Sequence, residues 1–468
     1  MSKVHAVSHW WNQIGEPEPS DVLQGPLTCD VAIVGAGFTG MWTAYYLKKL
    51  DPSLDIRIIE ARFAGFGASG RNGGWLTNTI NGGHEWYLKK FGVEETKRFQ
   101  LAMNDTVAEV IRVAETEGID ADIFKGGSLM VARTPAAMQR TNTVFESALP
   151  EEGWQRLSAK ESQQHINISE TLGGLWLPDC ARIHPAKLAS GLANVLRKMG
   201  VRIHEGTIAS QIIPGREPDD PIGPGPKLPT VVTEQGEVQA QVVLRATEGF
   251  TTLLKGLKRQ WLPLNSSMIV TEEIPENLWK EIGWAGYDTV EDAAHIYSYA
   301  QRTKDNRIAI GGRGKPYRFG SEVNASGDIA PETVEQLSNV VKTWFPALSD
   351  IGIDYGWSGV LGVPRTWRAT LGLHSGSGMV WAGGYVGTGV AATNLAGRTM
   401  ADLIAGRDTE LTTLPWVNQE ARFWEPEPLR WIGIQSVYLG YRLADKSESA
   451  GGDKTSVFAK LANFIAGR

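Results

Sequence analysis

Three glycines and an acid are the first residues of this chain whose spacing could do chemistry. Gly35-x-Gly37-x-x-Gly40 follows a short apolar run, Val31 to Val34, and opens a segment, Phe38 to Leu50, whose apolar residues fall at helical spacing. Glu60 comes 20 residues after Gly40, at the end of a second apolar run from Ile56 to Ile59. In a strand–turn–helix–strand unit each part has a physical task. Gly35 makes the tight turn, Gly37 lets backbone approach a pyrophosphate, and Gly40 lets the helix lie close on the sheet. The first helical residues, Phe38 and Thr39, then present unpaired N–H groups to an anion. An acid at position 60 accepts from ribose hydroxyls and repels an extra ribose phosphate, which favours NAD or FAD over NADP.

A second candidate follows at once. Residues 61–78, ARFAGFGASGRNGGWLTN, carry glycines at 65, 67, 70, 73 and 74, more than an ordinary strand-to-helix link of ~2–6 residues needs. The stretch reads as a second backbone cradle for a long cofactor, with Ala61, Arg62, Gly67, Ala68, Ser69, Arg71, Asn72, Gly73 and Gly74 as contributors. A flexible loop is the alternative. Far downstream, Met379 to Ala382 is strand-like, residues 383–389 (GGYVGTG) form a glycine turn, and Val390 to Ile404 is helical in period. This second strand–turn–helix unit aims another helix N-terminus at a ligand through Gly384, Tyr385, Gly387, Thr388, Gly389 and Val390. A turn used only for packing is its alternative.

The 468 residues that must position these groups exceed one ordinary core, and 42% hydrophobic with 21% charged residues is a globular composition. The net charge of −6 and the lack of a long basic block argue against a nucleic-acid partner. The first 24 residues do not read as a signal peptide, and no window reads as a membrane span. Two cysteines, Cys29 and Cys180, without metal or redox spacing, fit a cytoplasmic protein, and the histidines compose no metal site.

The combination of GAGFTG, GFGASGRNGG and AGGYVGTGVAATNLAGR (residues 382–398) resembles the D-amino-acid-oxidase-like flavoproteins, within them the γ-glutamylputrescine oxidase group. The resemblance covers most of the chain. It implies noncovalent FAD, oxidation of a carbon–nitrogen bond in a small amine or amino acid, and an α/β dinucleotide-binding (Rossmann-like) domain. With that domain is interleaved an α+β substrate domain whose mixed or antiparallel sheet roofs the flavin. It also nominates Ile208 beside adenine, and Thr247 and Gly249 in a strand ending Ala-Thr-x-Gly, where Glu248 stands in place of the family's frequent Asn. The scattered motifs then divide the chain into an FAD-binding domain of residues 25–80, 178–260 and 355–412. Residues 81–177 and 261–354 form the substrate domain, and 413–468 a C-terminal helical packing segment.

For the reacting end, the run NRIAIGGRGKPYR (306–318) puts Arg313 where a related residue reaches the substrate cavity, with a surface arginine as the alternative. Trp357, with Trp367, Tyr297 and Tyr299, could wall a cationic amine, though core packing is the commoner fate of such rings. The expected partners are a small amine and dioxygen or another electron acceptor; the oligomeric state stays open. Sarcosine-oxidase-like relatives place an oxygen-activating Lys on a strand where this chain has Ala309, and a flavin-linked Cys in a segment matching 356–366, which has no Cys. The competing readings are a dehydrogenase serving a quinone or carrier protein and a flavin-binding module without turnover.

Overall fold

The computed structural model describes residues 6–217, 225–312, 314 and 316–467. Its first sheet is built around Leu27–Val34, whose last four residues, Val31 to Val34, are buried on both faces. A parallel strand covered by helices on each side needs such a continuous apolar run. Leu27–Val34 pairs in parallel with Ile56–Ile59 on one edge and Glu237–Arg245 on the other, and Arg202–His204 and Met379–Gly383 extend the parallel set. Thr370–His374 closes one side antiparallel to Met379–Gly383. A small antiparallel layer, Ala209–Ile213 with Thr230–Thr233, hangs from Glu237–Arg245. Part of the proline-rich stretch 214–229 lies outside the described residues.

The second sheet has eight strands, and it roofs the first. Its order runs Ile353–Val363, Leu262–Thr271, Ile308–Gly312, Tyr299–Arg302, Thr289–Asp292, Ser128–Ala132, Gly173–Leu177, Gln155–Ser158. All neighbours are antiparallel except Thr289–Asp292 with Ser128–Ala132, where a strand from residues 261–354 meets one from residues 81–177. The expected return to the nucleotide domain at residue 355 falls inside a roof strand: Ile353–Val363 pairs with Leu262–Thr271 along nearly its whole length. The chain re-enters the first sheet only at Thr370–His374.

Two helices carry the glycine turns. Phe38–Leu50 and Gly389–Ile404 pack closely, Gly397 lying where a Cβ would stand 2.6 Å from the Trp42 Cβ. The C-terminal segment is helical over Leu429–Ser449 and Val457–Ala466. His295, Asp445 and Glu448 meet where it is tied to the roof. There the Asp445 carboxylate accepts the N–H of His295 and of Ile296, and Glu448 accepts from Arg140, His295 and the Ser456 N–H. These acids therefore already have donors. No helix among the described residues is long and apolar enough to cross a membrane.

Candidate active site

A cavity of about 470 Å³ opens between the two sheets, and both helix N-termini end on its wall. At the first, Gly37 caps Phe38–Leu50 without a side-chain hydrogen bond, and the Phe38 N–H, expected to be unpaired, instead donates to Ser69 Oγ at 2.8 Å because the second glycine loop folds back over the helix start. At the second, Thr388 caps Gly389–Ile404, again without a side-chain cap. Arg62 is the single cation among the described lining residues, and beside it the wall offers an anion backbone N–H groups and the two helix dipoles.

The Glu60 carboxylate stands on the same wall, accepting the N–H of Ala36 at 2.8 Å and of Arg62 at 2.9 Å. Burial pushes its pKa up to about 6 against the pull of those two donors. Each oxygen keeps a lone pair for a hydroxyl. Glu205 props the loop beyond it by accepting from the Ala64 N–H, Arg197 and Ser20.

Seventeen of the residues nominated for a cofactor line this one cavity: Gly35, Gly37, Phe38, Thr39, Glu60, Ala61, Arg62, Gly67, Ala68, Ser69, Asn72, Ile208, Thr247, Tyr385, Gly387, Gly389 and Val390. Seven others are placed elsewhere, each for a visible reason. Gly40 seats its helix, since a Cβ there would lie 2.2 Å from Gly35 O. Gly249 and Gly384 give way to Val360 and Pro364. Thr388 is held by Asn81, whose Nδ2 donates to its carbonyl at 3.1 Å and to its hydroxyl.

Arg71, Gly73 and Gly74 turn toward the roof. The Arg71 guanidinium is 2% exposed, donates to the carbonyls of Phe66, Ala325 and Ser358, and lies 4.3 Å over the Phe66 ring. Burial draws its pKa down to about 10, which leaves it a cation at neutral pH. A Cβ on Gly73 would meet the Tyr299 ring at 2.7 Å, and one on Gly74 would meet Gln301 Nε2 at 2.0 Å.

Trp357 does not reach the cavity wall either. Its indole N–H donates to Arg71 O at 2.9 Å, and its ring packs among His9, Trp10 and Tyr355. The expected catalytic wall at this position is thus a core contact, because an N-terminal segment covers that part of the roof strand. Tyr299 meets Ser266 Oγ at 3.0 Å and Trp75 edge to face, and Trp367 lies against Trp424. Arg313 lies outside the described residues.

Several lining residues had no expected role. Leu361 comes from the roof strand, Phe250, Leu253 and Leu254 from the turn after Glu237–Arg245, and Ala325 and Ser326 from a loop of the roof domain. Val7 arrives from the N-terminal segment. Glu248, which marked a departure from the family pattern, is the one charged residue among them. No short-range pattern announces the others.

The donor set suits FAD. Backbone is open where a long flat ligand would press: among the described residues beyond its chain neighbours, a Cβ on Gly37 would meet Ser69 Oγ at 3.1 Å, and one on Gly387 would meet Leu361 Cδ1 at 3.9 Å. Neither cysteine lines the cavity; Cys29 and Cys180 are both buried in strands. A parallel nucleotide sheet under an antiparallel roof, with two helix N-termini open to one cavity, defines a flavoprotein oxidoreductase. The chain belongs to the DAO family of FAD-dependent oxidoreductases, whose pattern matches residues 30–403.

It is 30% identical over 421 residues to the gamma-glutamylputrescine oxidoreductase of Escherichia coli (strain K12), a match spanning 86% of this chain and 89% of that protein. Its fold is shared with glycine oxidase from Geobacillus kaustophilus, at a TM-score of 0.65 and 19% identity over 82% of this chain and 96% of that one. L-proline dehydrogenase from P. horikoshii superposes with a TM-score of 0.67 at 19% identity, covering 83% of this chain and 96% of its own.

Proposed function

We propose that this chain oxidises a carbon–nitrogen bond in a small primary or secondary amine or amino acid derivative. The observation that carries the reading is the convergence of three separate glycine segments and two uncapped helix N-termini on one roofed cavity. The gamma-glutamylputrescine oxidoreductase relative supports the substrate class. When bound, FAD supplies a two-electron acceptor for the hydride of the carbon next to nitrogen. The residues named above then have positioning tasks. Glu60 and Ile208 hold the nucleotide end, the N–H groups behind Gly37 face the phosphates, and Gly387 to Val390 place positive helix-dipole character beside the ring system. The roof excludes water until the substrate imine is formed, after which hydrolysis gives a carbonyl compound and an amine. No general base is assigned, because a neutral amine presented with its C–H toward the cofactor needs alignment more than deprotonation.

The electron acceptor distinguishes an oxidase from a dehydrogenase serving a quinone or carrier protein. One observation favours keeping the dehydrogenase in view: Ala309, which the resemblance to sarcosine-oxidase-like proteins sets against their oxygen-activating lysine, is buried in the roof strand Ile308–Gly312 and offers no cation there. The test is anaerobic mixing of the yellow holoenzyme with polyamine conjugates, N-methyl amino acids and aminophosphonates. Bleaching by one class identifies the substrate. Recovery of colour within turnover time on admitting air makes the protein an oxidase, and recovery only with a quinone makes it a dehydrogenase. Failure of the whole panel to bleach the flavin would leave a binding module and sink the reading.

A further inference from the structure

Glu248 sits in a place where a carboxylate is costly. The residue is half-buried, its backbone is in the left-handed region at φ 41°, and it forms part of the cavity wall. Burying an acid demands donors, and a non-glycine residue at positive φ demands a compensating reason. Three backbone N–H groups provide the donors. Oε1 accepts from Gly384 and from Tyr385, each at 3.1 Å, and Oε2 accepts from Gly362 at 3.0 Å.

Those donors come from two different bodies. Gly384 and Tyr385 begin the turn that leads to the second helix N-terminus, whereas Gly362 belongs to the roof strand Ile353–Val363. Each body contributes the adjoining wall of the cavity. Leu361, next to Gly362, faces Gly387, and a Cβ on Gly387 would lie 3.9 Å from Leu361 Cδ1. The glycine at 362 is itself required by the acid, since a Cβ there would stand 2.2 Å from Glu248 Oε2. The Glu237–Arg245 strand that delivers Glu248 pairs with both Leu27–Val34 and Met379–Gly383, so the brace is anchored in the nucleotide sheet.

We propose that Glu248 is a positioning residue that sets the gap between the roof strand and the second helix N-terminus, and thereby the alignment of the flavin ring system beneath its roof. This rests on the reading of the cavity as the flavin site. The geometry requires an acceptor at both ends of the side chain. An ionised carboxylate offers that, whereas a glutamine offers one oxygen and turns an amino group toward the remaining N–H. The charged neighbours agree with an anion here. Arg245, buried over the Trp261 ring at 4.7 Å, is the nearby counter-charge, and the Tyr385 hydroxyl receives the Thr39 hydroxyl's hydrogen bond on the facing side. Burial pushes the Glu248 carboxyl up to about 7, while its three N–H donors and Arg245 oppose that rise.

The test compares the holoenzyme with Glu248→Gln and Glu248→Asn by hydrogen exchange, flavin midpoint potential and steady-state kinetics. Exchange needs no substrate, so wild-type turnover judges the functional reading while the variants judge the brace. In E248Q, peptides covering 356–364 and 382–390 are expected to exchange at least ~10-fold faster, with distant peptides unchanged. The midpoint potential shifts, kcat falls ~10-fold or more, and KM moves less than ~3-fold, the split expected when alignment rather than binding is lost. E248N, shorter and with one acceptor, follows the same pattern. Wild-type exchange at both peptides with an unchanged potential would overturn the proposal. So would faster exchange across the whole chain, or failure of both variants to fold, since either makes Glu248 a residue of general stability.

Discussion

The two glycine loops that follow the first strands look alike in sequence and differ in what presses against them. In the loop at 35–40, Gly37 faces the cavity with Ser69 Oγ as its near neighbour, Gly35 lines the cavity at a left-handed φ of 105° where a Cβ would stand 2.6 Å from Ala246 O, and Gly40 lets the helix settle on its strand. In the loop at 65–74, Gly67, Ala68, Ser69 and Asn72 face the cavity, while Gly70, Arg71, Gly73 and Gly74 face protein. A Cβ on Gly70 would meet Trp11 Nε1 at 2.2 Å. The Ser8 hydroxyl donates to Gly70 O, and the Trp10 indole to Asn72 O. Glycine thus records close approach without saying whether a ligand or another segment does the approaching. In the first loop Gly37 is left to the ligand. The second is also the hinge plate on which the roof and the N-terminal segment rest.

Arg71→Ala gives the largest separation between the two. It leaves three carbonyls without their donor in a buried place, at an expected cost of about 3–5 kcal/mol in unfolding free energy. Denaturant unfolding of the holoenzyme measures it. Arg71→Lys should recover little, because one ammonium cannot reproduce the planar fork that spans Phe66, Ala325 and Ser358. A loss of FAD affinity with unchanged stability would instead return Arg71 to the cofactor.

Gly74→Ala comes next, at about 2–3 kcal/mol, from a left-handed φ of 72° and a Cβ lodged against Gln301 Nε2 and Ile183 O. Gly37→Ala reverses the pattern. Among the described residues beyond its chain neighbours its new methyl meets the end of one flexible side chain, Ser69 Oγ, so the apoprotein should unfold within about 0.5 kcal/mol of the parent. FAD should bind ~10-fold or more weakly, because the methyl occupies the pyrophosphate's approach. Apoprotein titration with FAD, read by flavin fluorescence, checks the second half. If both substitutions weakened FAD and stability alike, the distinction between the loops would fail.

The contrast also explains what was legible in the sequence. The 35–40 unit was readable because strand, turn, helix and terminal acid occupy one continuous stretch, and their periodicities change where the physics requires. The helix N-terminus at Gly387 to Val390 was readable for the same local reason. The second loop was readable only as glycine-rich, since the partners that divide it, Ser8, Trp10, Tyr299 and Gln301, arrive from distant parts of the chain. Trp357 was assigned to the pocket because an aromatic residue on a roof strand shows no face until the N-terminal tryptophans are seen to cover it. The end of the roof was misplaced at 355 because Ile353–Val363 is rich in glycine and resembles the turns around it. Glu248 was visible as a departure from pattern, but its three donors come from two segments more than one hundred residues downstream.

A last comparison separates the loops by pH. His9 and His184 lie on the roof side of the second loop, against Trp10, and burial pulls the pKa of each down to about 4. In the unfolded chain a histidine titrates near ~6.5. Between those values the unfolded state binds more protons, so stability rises with pH and is lost as pH falls below the unfolded pKa. From pH 7 to pH 5 each ring should subtract about 2 kcal/mol, the His9 value already including the opposing charges of Asp305 and Asp354 and the like charge of Arg307. Neither ring nitrogen of His9 has a hydrogen-bond partner among the described residues, so His9→Phe should fold normally and flatten the acid side of the stability curve. His184 is different: its Nδ1 accepts the Lys187 N–H and its Nε2 meets Gln13, so replacing it also removes a helix cap. Thermal unfolding across that pH range, with hydrogen exchange to locate the opening, should show residues 65–74 and the N-terminal segment loosening before residues 35–40. Opening of the 35–40 unit first would place the acid-sensitive contact on the wrong loop.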